Sequence, residues 1–172
     1  MKKVADGHFF ILMSILKAVN QYDIKQVSFT FLLLAACCCT QAQSTRDSVV
    51  TTINTFFAGL KKADTTLLRS TLSDNAVFQT IQEKAGKTSV RDETINEFIH
   101  SIASLPAGAA DEKIEIGTLL IDGALASVWT PYKFYFKEKF SHCGVNSFQL
   151  VRMNNEWKIQ YIIDTRRPTG CL

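Results

Sequence analysis

The chain has 172 residues, of which 47% are hydrophobic and 20% are charged. This length and composition suit one domain with its own hydrophobic core, and they exclude a fibrous or wholly disordered protein. The formal net charge is +3, but residues 44–172 carry 15 Lys+Arg against 14 Asp+Glu, so most of the excess lies upstream. A domain this close to neutrality predicts no nucleic-acid partner.

The first 43 residues have the pattern of a targeting segment. Lys25 precedes an apolar run at 27–39, and the small residues Thr40 and Ala42 follow at the spacing that signal peptidase requires. The run is short for a membrane span, which needs about 20 apolar residues. We therefore expect a signal peptide cleaved near Ala42, a mature domain at 44–172, and a periplasmic or secreted protein.

Alternatives to this cleavage stay open. The sequence LAAC at 34–37 resembles the bacterial lipobox, which would make Cys37 a lipidated first residue and anchor the protein to a membrane. An uncleaved apolar anchor is a further alternative. A second apolar stretch at 9–16 fits none of these, so a start of translation at Met13 is also open. Without lipidation, we expect no membrane partner after cleavage.

Two of the five cysteines, Cys143 and Cys171, lie in the mature domain. An even pair in an oxidising compartment predicts a disulfide, here one that closes the last hairpin. Two free thiols are the alternative. No metal site is expected, because no second cysteine or histidine stands at ligand spacing beside either residue.

The helices are predicted in the first half of this domain. Residues 45–62 form an amphipathic helix whose apolar positions recur every three or four residues. These positions are Val49, Ile53, Phe56 and Leu60. Asp64 is suited to cap a short second helix, which carries Leu67, Leu68 and Leu72, and a strand follows at 76–82.

A third helix is predicted after a loop at 84–88. Ser89, with Asp92 three residues on, resembles a capping box and would start this helix. Its apolar face is Ile95, Phe98, Ile99 and Ile102. Pro106 ends it, because proline cannot continue a helix.

From residue 111 onward hydrophobicity alternates with period two. Four strands are predicted, at 112–121, 124–136, 140–153 and 156–165. The turns between them are Asp122-Gly123, Lys137-Glu138 and Asn154-Asn155. The order α-α-β-α-β-β-β-β predicts an α+β domain, with three helices packed on one face of a curved, mixed and mainly antiparallel sheet.

The last hairpin predicts which residues share a face. With a two-residue turn at 154–155, the numbers of opposed residues sum to 309, so Cys143 faces Arg166 and Val145 faces Asp164 on the polar side. The helix-covered face then carries Phe148, Leu150, Trp157, Ile159, Tyr161 and Ile163, and at the open end His142 and Asn146. A polar residue there would lie at the rim of an apolar cavity, where ligand sites are usually built.

The preceding strand adds further side chains to this face. They are Trp129 or Val128, then Tyr132, Phe134 and Phe136. The turn at Lys137-Glu138 sets its register against the strand at 140–153. In that register the apolar faces of the two strands disagree by one residue. This difference predicts a β-bulge at Gly144 or at Pro131.

Three segments carry a family resemblance: GLKKAD at the end of the first helix, the run WTPYKFYF with SHCGVNSFQLVR, and EWKIQYIIDTRR. Together with the order of elements they resemble the nuclear transport factor 2-like superfamily, and within it the bacterial lumazine-binding branch, with polyketide cyclases more distant. The resemblance covers about residues 44–171. It implies a cone-shaped α+β barrel that encloses a pocket for a small, often hydrophobic molecule, and it implies no single activity.

Two residues are candidates for proton transfer. His142 could act as an acid or base near neutral pH, although a lone histidine at a strand end is more often structural. Asp164 is the second, although a surface ion pair with Arg166 is the simpler interpretation. Candidate ligand-binding residues are Trp129, Tyr132, Phe134, Asn146, Phe148 and Tyr161. The aromatic residues among them equally suit a hydrophobic core.

Three functions remain open. The first is an exported domain that binds a small hydrophobic or heterocyclic molecule without catalysis. The second is an enzyme of isomerase, dehydratase or cyclase type that uses His142 and Asp164, with Tyr132 or Asn146 as polarising donors. The third is a homodimeric interaction domain that pairs through the exposed face of its sheet. No cofactor is expected, because the sequence has no phosphate-cradling glycine loop and no metal-spacing cluster.

Overall fold

The computed structural model describes residues 43–171. The predicted signal peptide and the lipobox at Cys37 lie outside the described residues. Among residues 43–171 no helix is long and apolar enough to span a membrane.

Three helices precede or interrupt the first strands. Helix α1 covers residues 43–62, α2 is Thr65–Thr71 and α3 is Ile95–Ala103. The Asp64 carboxylate caps α2, as predicted, and accepts a hydrogen bond from the Leu67 amide at 2.9 Å. The predicted start of α3 at Ser89 is wrong. Its cap is Thr94, whose hydroxyl accepts a hydrogen bond from the Glu97 amide and whose own amide donates to the Glu97 carboxylate, as in a capping box.

Seven strands form one mixed sheet. They are β1 Leu72–Lys84, β2 Lys87–Glu93, β3 Ala110–Ile114, β4 Leu119–Asp122, β5 Leu125–Phe136, β6 Lys139–Met153 and β7 Glu156–Thr165. Their order is β2-β1-β7-β6-β5-β3, and β4 also pairs with β5. The pair β1 and β7 is parallel, and the other pairs are antiparallel. The predicted α+β class and the mainly antiparallel sheet are confirmed.

Two parts of the strand prediction were wrong. Strand β2 was missed because it is a polar edge strand, exposed along nearly its whole length, which shows no alternation. The strand predicted at 112–121 is divided into β3 and β4. The division lies opposite Pro131, which has no amide proton to complete the ladder, and Gly117 binds the Trp129 carbonyl there at 2.9 Å.

A β-bulge in β7 changes the predicted faces of the last hairpin. The predicted register holds from Met153 to Leu150, which faces Ile159, but Gln149 then faces Tyr161 and Gln160 is left over. A shift of one residue exchanges the two faces of a strand. Beyond the bulge, Ile162 and Asp164 therefore point to the helix side, and Tyr161 and Ile163 point away. Accordingly, Asp164 faces Asn146 rather than Val145, and Cys143 faces Arg167 rather than Arg166.

A second bulge lies in β6, as the disagreement of registers predicted, but its position is different. Phe134 faces His142 and Tyr135 faces Phe140, so Ser141 is the extra residue rather than Gly144 or Pro131. Gly144 is required for another reason. A Cβ atom there would lie 1.8 Å from the Thr165 carbonyl oxygen and 2.8 Å from the Tyr132 ring.

The core lies between α1 and the inner face of the sheet. The Phe148 ring is fully buried and makes edge contacts with Phe56 and Phe57, at centroid distances of 6.3 and 5.9 Å. Trp157 is 5% exposed and belongs to the same core. At the other end of β6 the structure has the disulfide Cys143–Cys171, with Cα atoms 5.7 Å apart. The two ends of β6 therefore differ, one being apolar and the other crosslinked and irregular.

Candidate functional site

A cavity of about 260 Å³ lies between α1, α3 and the inner face of the sheet. Aromatic and aliphatic side chains form most of its wall, among them Phe56, Phe57, Phe78, Phe98, Ile102, Phe134 and Phe148. Exposed side chains at its rim are Arg91, Ser101 and Phe136. An apolar cavity with a few convergent polar groups is the usual form of a small-molecule site, and this volume is slightly below the usual range of about 300 to 1,000 Å³.

Asp164 is the centre of a buried polar network on one wall. Its Oδ1 accepts a hydrogen bond from the Thr80 hydroxyl at 2.7 Å, and its Oδ2 accepts one from Arg166 Nε at 2.7 Å. Arg166 also donates to Thr80 Oγ1 at 3.0 Å. The Tyr132 hydroxyl lies 3.2 Å from Asp164 Oδ2 and 2.9 Å from the Thr165 carbonyl oxygen, and it can donate to one of them at a time. The network holds the carboxylate in one orientation.

The pKa values of its members fit an ionised pair. Burial raises the pKa of Tyr132 above its ordinary range, and the charge of Asp164 adds to this rise, so the phenol stays protonated. Burial alone would lower the pKa of Arg166, but the hydrogen bond and charge of Asp164 raise it. The pair Asp164 and Arg166 is thus an ion pair on the cavity wall, with the Arg166 side chain 45% exposed.

Glu112 is a second carboxyl group on the cavity wall. Strand β3 places it opposite Phe134, and its Oε1 accepts a hydrogen bond from Asn146 Nδ2 at 2.7 Å. Burial raises the pKa of Glu112 to about 7, a rise that the Asn146 hydrogen bond and Arg166 oppose and that Asp164 supports. Near neutral pH this carboxyl group can therefore either accept or release a proton.

His142 lies on the same wall, half-buried beside two aromatic rings. Its ring centroid is 5.7 Å from that of Tyr132 and 5.0 Å from that of Phe134. Its Nδ1 is 3.0 Å from the Ser141 hydroxyl. Burial lowers the pKa of His142, Arg166 lowers it further, and Asp164 opposes both. The imidazole is therefore neutral at pH 7 and can accept a proton.

The structure brings most of the predicted site residues together. The cavity wall includes both proton-transfer candidates, His142 and Asp164, and four of the six ligand candidates: Tyr132, Phe134, Asn146 and Phe148. Trp129 and Tyr161 lie on the outer face. Val128 takes the inward position in β5, leaving Trp129 50% exposed, and the bulge in β7 turns Tyr161 outward to a hydrogen bond with Gln79.

Sequence analysis missed Glu112 and Thr80, and it assigned Arg166 to the surface. Glu112 had a usable signal, because it has the same parity as the apolar Ile114 and Ile116 in the predicted strand. Thr80 gave none, since threonine is common on either face of a strand. The position of Arg166 was wrongly predicted for the same reason as that of Asp164, because both positions depend on the bulge at Gln160.

No group of three His, Cys, Asp or Glu side chains within residues 43–171 is placed to hold a metal ion. Every buried side-chain nitrogen and oxygen atom in that part of the chain has a hydrogen-bond partner. The hydrogen bonds of the polar network are therefore complete without a ligand. The feature that suits ligand binding is the cavity in front of the network.

Comparison with known proteins identifies the fold. No protein-family model matches the sequence, and no curated protein matches it. The structure is similar to an NTF2-like protein of unknown function from Shewanella baltica, with a TM-score of 0.59, 18% identity, and coverage of 73% of this chain and 96% of that one. A second NTF2-like protein of unknown function, from Silicibacter pomeroyi, gives a TM-score of 0.57 at 10% identity, with coverage of 73% and 98%.

A third similar structure is an NTF2-like family protein from Streptomyces avermitilis to which a dehydratase activity is ascribed. It has a TM-score of 0.56 at 13% identity and covers 74% of this chain and 99% of that one. At such identities the likeness shows the fold. The domain thus has the nuclear transport factor 2-like fold, as the resemblance predicted. Its three helices pack on a curved mixed sheet that does not close into a barrel. The lumazine-binding branch stays a prediction.

Proposed function

We propose that this domain binds a small molecule in the cavity between its helices and sheet. The observation that carries the proposal is the combination of an apolar cavity with a polar wall formed by Glu112, His142 and the Asp164–Arg166 pair. A hydrophobic or heterocyclic body would contact the phenylalanine rings, and a hydrogen-bonding substituent would reach the polar wall. Apolar contacts do not orient a ligand, so the polar wall would determine its orientation.

Blocking the mouth of the cavity tests this proposal. Ser101 is exposed on α3 and lines the cavity, whereas its neighbour His100 is exposed and does not. Protein purified from its source is examined by native mass spectrometry for a co-purifying small molecule. Ser101→Trp should lose that molecule, and the matched control His100→Trp should keep it. The proposal is contradicted if both variants retain the ligand. It is also contradicted if no small molecule co-purifies with the unsubstituted protein or with either variant.

A second candidate function is proton transfer on the bound molecule. Glu112 favours it, because a carboxyl group with a pKa of about 7 in an apolar cavity is suited to general acid or base catalysis. Neutral His142 is the partner proton acceptor. Asp164 is held by three donors, which suits it to orient Arg166 and Tyr132. Tyr132 and Asn146 are the candidate polarising donors.

Exchange of solvent deuterium into the ligand separates the two functions. An isomerase, dehydratase or cyclase that moves a carbon-bound proton should introduce deuterium into the co-purifying molecule during incubation in D2O. Glu112→Gln should then retain the molecule and lose the exchange. Retention without any exchange in the unsubstituted protein would leave binding as the function.

We further propose that the protein is exported and acts outside the cytoplasm. The disulfide Cys143–Cys171 suits an oxidising compartment, and the leader pattern predicts a mature N-terminus near Gln43. Sequencing of the N-terminus of the natural protein tests this. A lipid on Cys37 would establish the anchored form, and a retained Met1 or Met13 would contradict both forms.

A homodimer through the outer face of the sheet is the third candidate. Leu120, Leu125 and Trp129 are 66%, 48% and 50% exposed there, an apolar surface that a second copy would cover. Sedimentation equilibrium should then show a dimer that Trp129→Lys converts to a monomer. A monomer at all concentrations would eliminate this candidate.

A further inference from the structure

The tip of the β5–β6 hairpin combines exposed aromatic residues with lysines. Phe136 and Phe140 flank the turn and are 40% and 45% exposed, although phenylalanine is normally buried. Exposed lysines surround them, namely Lys113, Lys133, Lys137 and Lys139. Against these four positive charges stand two negative ones, Glu138 in the turn and Asp111, which lies opposite Tyr135 and pairs with Lys61 of α1. The domain as a whole is nearly neutral, so this cluster is a local concentration of positive charge.

Contacts at the tip hold its aromatic rings between lysine side chains. Tyr135 and Phe140 pack edge to face with centroids 5.9 Å apart on the outer side of the hairpin. The Lys113 ammonium lies 4.6 Å from the centre of the Tyr135 ring, and that of Lys137 lies 5.6 Å from the Phe136 ring. Both sides of the hairpin therefore present an apolar centre with cations at its edge.

The turn itself is unusual for its sequence. Lys137 and Glu138 both have positive φ angles, 50° and 66°, nearly the same as Asn154 and Asn155 in the β6–β7 turn, 50° and 65°. Asparagine tolerates this left-handed conformation, whereas lysine and glutamate adopt it at a cost. The charged pair at this tip is thus not explained by the folding of the hairpin. It points to a role for the exposed tip.

We propose that the β5–β6 hairpin tip binds the surface of an anionic lipid bilayer. Phe136 and Phe140 would enter the boundary between headgroups and acyl chains, and the four lysines would contact the negative headgroups. Aromatic residues favour this interface, and each lysine near an anionic surface adds to the attraction. The proposal departs from the sequence-based expectation of no membrane partner.

A lipid surface fits this geometry better than a nucleic acid does. Proteins that bind single strands stack successive bases on aromatic rings that share one face. Here Phe136 faces the cavity side of the sheet and Phe140 the outer side, so they form a wedge and not a platform. A wedge with apolar residues on both sides and charges around it suits insertion into a soft interface.

This surface binding does not require that the cavity holds a ligand, although Phe136 belongs to both regions. The test therefore uses Phe140, which is not part of the cavity wall. A matched control is Met153, a comparably exposed residue, at 42%, beside the Asn154-Asn155 turn at the opposite end of β6. That turn has no lysine within two residues on either side, and its one nearby cation, Arg152, is balanced by Glu156.

Tryptophan reporters at the two tips provide the measurement. Phe140→Trp and Met153→Trp are mixed with vesicles of phosphatidylcholine alone or with phosphatidylglycerol, each carrying brominated acyl chains that quench tryptophan on contact. Relative to the unsubstituted protein, Phe140→Trp should show added quenching in the anionic vesicles, and Met153→Trp should show none. The leader is common to both variants, so its own membrane affinity cannot produce this difference.

Lysine variants provide the second part of the test. Lys137→Gln with Lys139→Gln in the Phe140→Trp protein should weaken the vesicle titration roughly 25-fold, since each lysine near an anionic surface contributes about fivefold. Equal quenching at both reporters, or a titration that the lysine variants leave unchanged, overturns the proposal. Binding of a single-stranded oligonucleotide that the lysine variants abolish, with no quenching by vesicles, would assign the tip to nucleic acid instead.

Discussion

The two ends of strand β6 show how one strand serves two purposes. From Phe148 to Met153 it packs beneath α1, and its side chains alternate regularly between the core and the outer face. From Lys139 to Asn146 it contains the bulge at Ser141, a glycine against the Thr165 carbonyl, and a disulfide. The regular half contributes stability. The irregular half places His142 and Asn146 on the cavity wall, and the bulge in β7 brings Asp164 beside them.

The bulges cause this difference. Each adds one residue, so each reverses the faces of the strand beyond it. The bulge in β7 brings Asp164 inward, and the one in β6, which lies between His142 and the turn, places Phe140 on the outer side opposite Tyr135. Buried polar groups are costly unless they are hydrogen-bonded, and here Thr80, Arg166 and Tyr132 supply those bonds. The site is therefore stable without help from a ligand.

The largest expected effect comes from Trp157 in β7, opposite Arg152 in the regular half of β6. Trp157 is 5% exposed in the core, so Trp157→Ala should lower the free energy of unfolding by about 3 to 5 kcal/mol, as truncation of a buried aromatic residue does. Trp129→Ala is the matched control, because Trp129 is 50% exposed, and its cost should be below about 1 kcal/mol. Chemical denaturation measures both. Equal losses would contradict the division between the two faces.

The disulfide at the irregular end should rank next. Closing a loop of this length contributes about 3 kcal/mol in the chain-entropy account, so Cys171→Ser should lower the free energy of unfolding by about that amount. Adding a reductant should bring the unsubstituted protein to the level of the variant and leave the variant unchanged. If reductant has no effect on either, the two thiols are not joined in the folded protein.

Much of the fold could be predicted because local signals agreed with it. Strand β7 has the predicted bounds, and the turns at Lys137-Glu138 and Asn154-Asn155 lie where the sequence placed them. Two-residue turns between alternating runs are strong signals. Strand β2 escaped prediction because an exposed edge strand buries no face, and so its sequence has no period to read.

The site was harder to predict because its geometry depends on the bulges. After Gln160 the chain reads Tyr161-Ile162-Ile163, with apolar residues of both parities, so the sequence is compatible with either face pointing inward. The bulge decides between them, and with it the position of Asp164. Long-range pairing of β1 with β7, which supplies Thr80, likewise leaves no local signal.

A pH-dependent effect of about 2 kcal/mol is expected from Glu112. Glu112 keeps its proton up to about pH 7 in the folded protein, whereas its ordinary pKa in an unfolded chain is 4.5, so stability should fall as the pH rises between these values. Glu112→Gln removes this slope and should be about 2 kcal/mol more stable than the unsubstituted protein above pH 7, allowing for partial solvent exposure.

Thermal unfolding across this pH range measures the slope. Asn146→Ala is a second variant, and it should raise the pKa of Glu112 further, because the Asn146 hydrogen bond lowers that pKa. Its removal should extend the pH-dependent loss to higher pH. A slope that Glu112→Gln leaves intact would show that another group titrates.

The smallest effect on stability should come from His142. Its ring packs beside Tyr132 and Phe134 and is half-buried, and its hydrogen-bond partner Ser141 is exposed, so His142→Ala should cost less than about 1 kcal/mol. Burial lowers the pKa of His142, so the contribution of this residue to stability is lost as the pH falls below about 6.5, opposite in sign to that of Glu112, and the variant should lack it. Native mass spectrometry at pH 7 should nevertheless show weaker ligand retention in the variant, with exposed His100→Ala as the control. A large drop in melting temperature with unchanged retention would make His142 a structural residue.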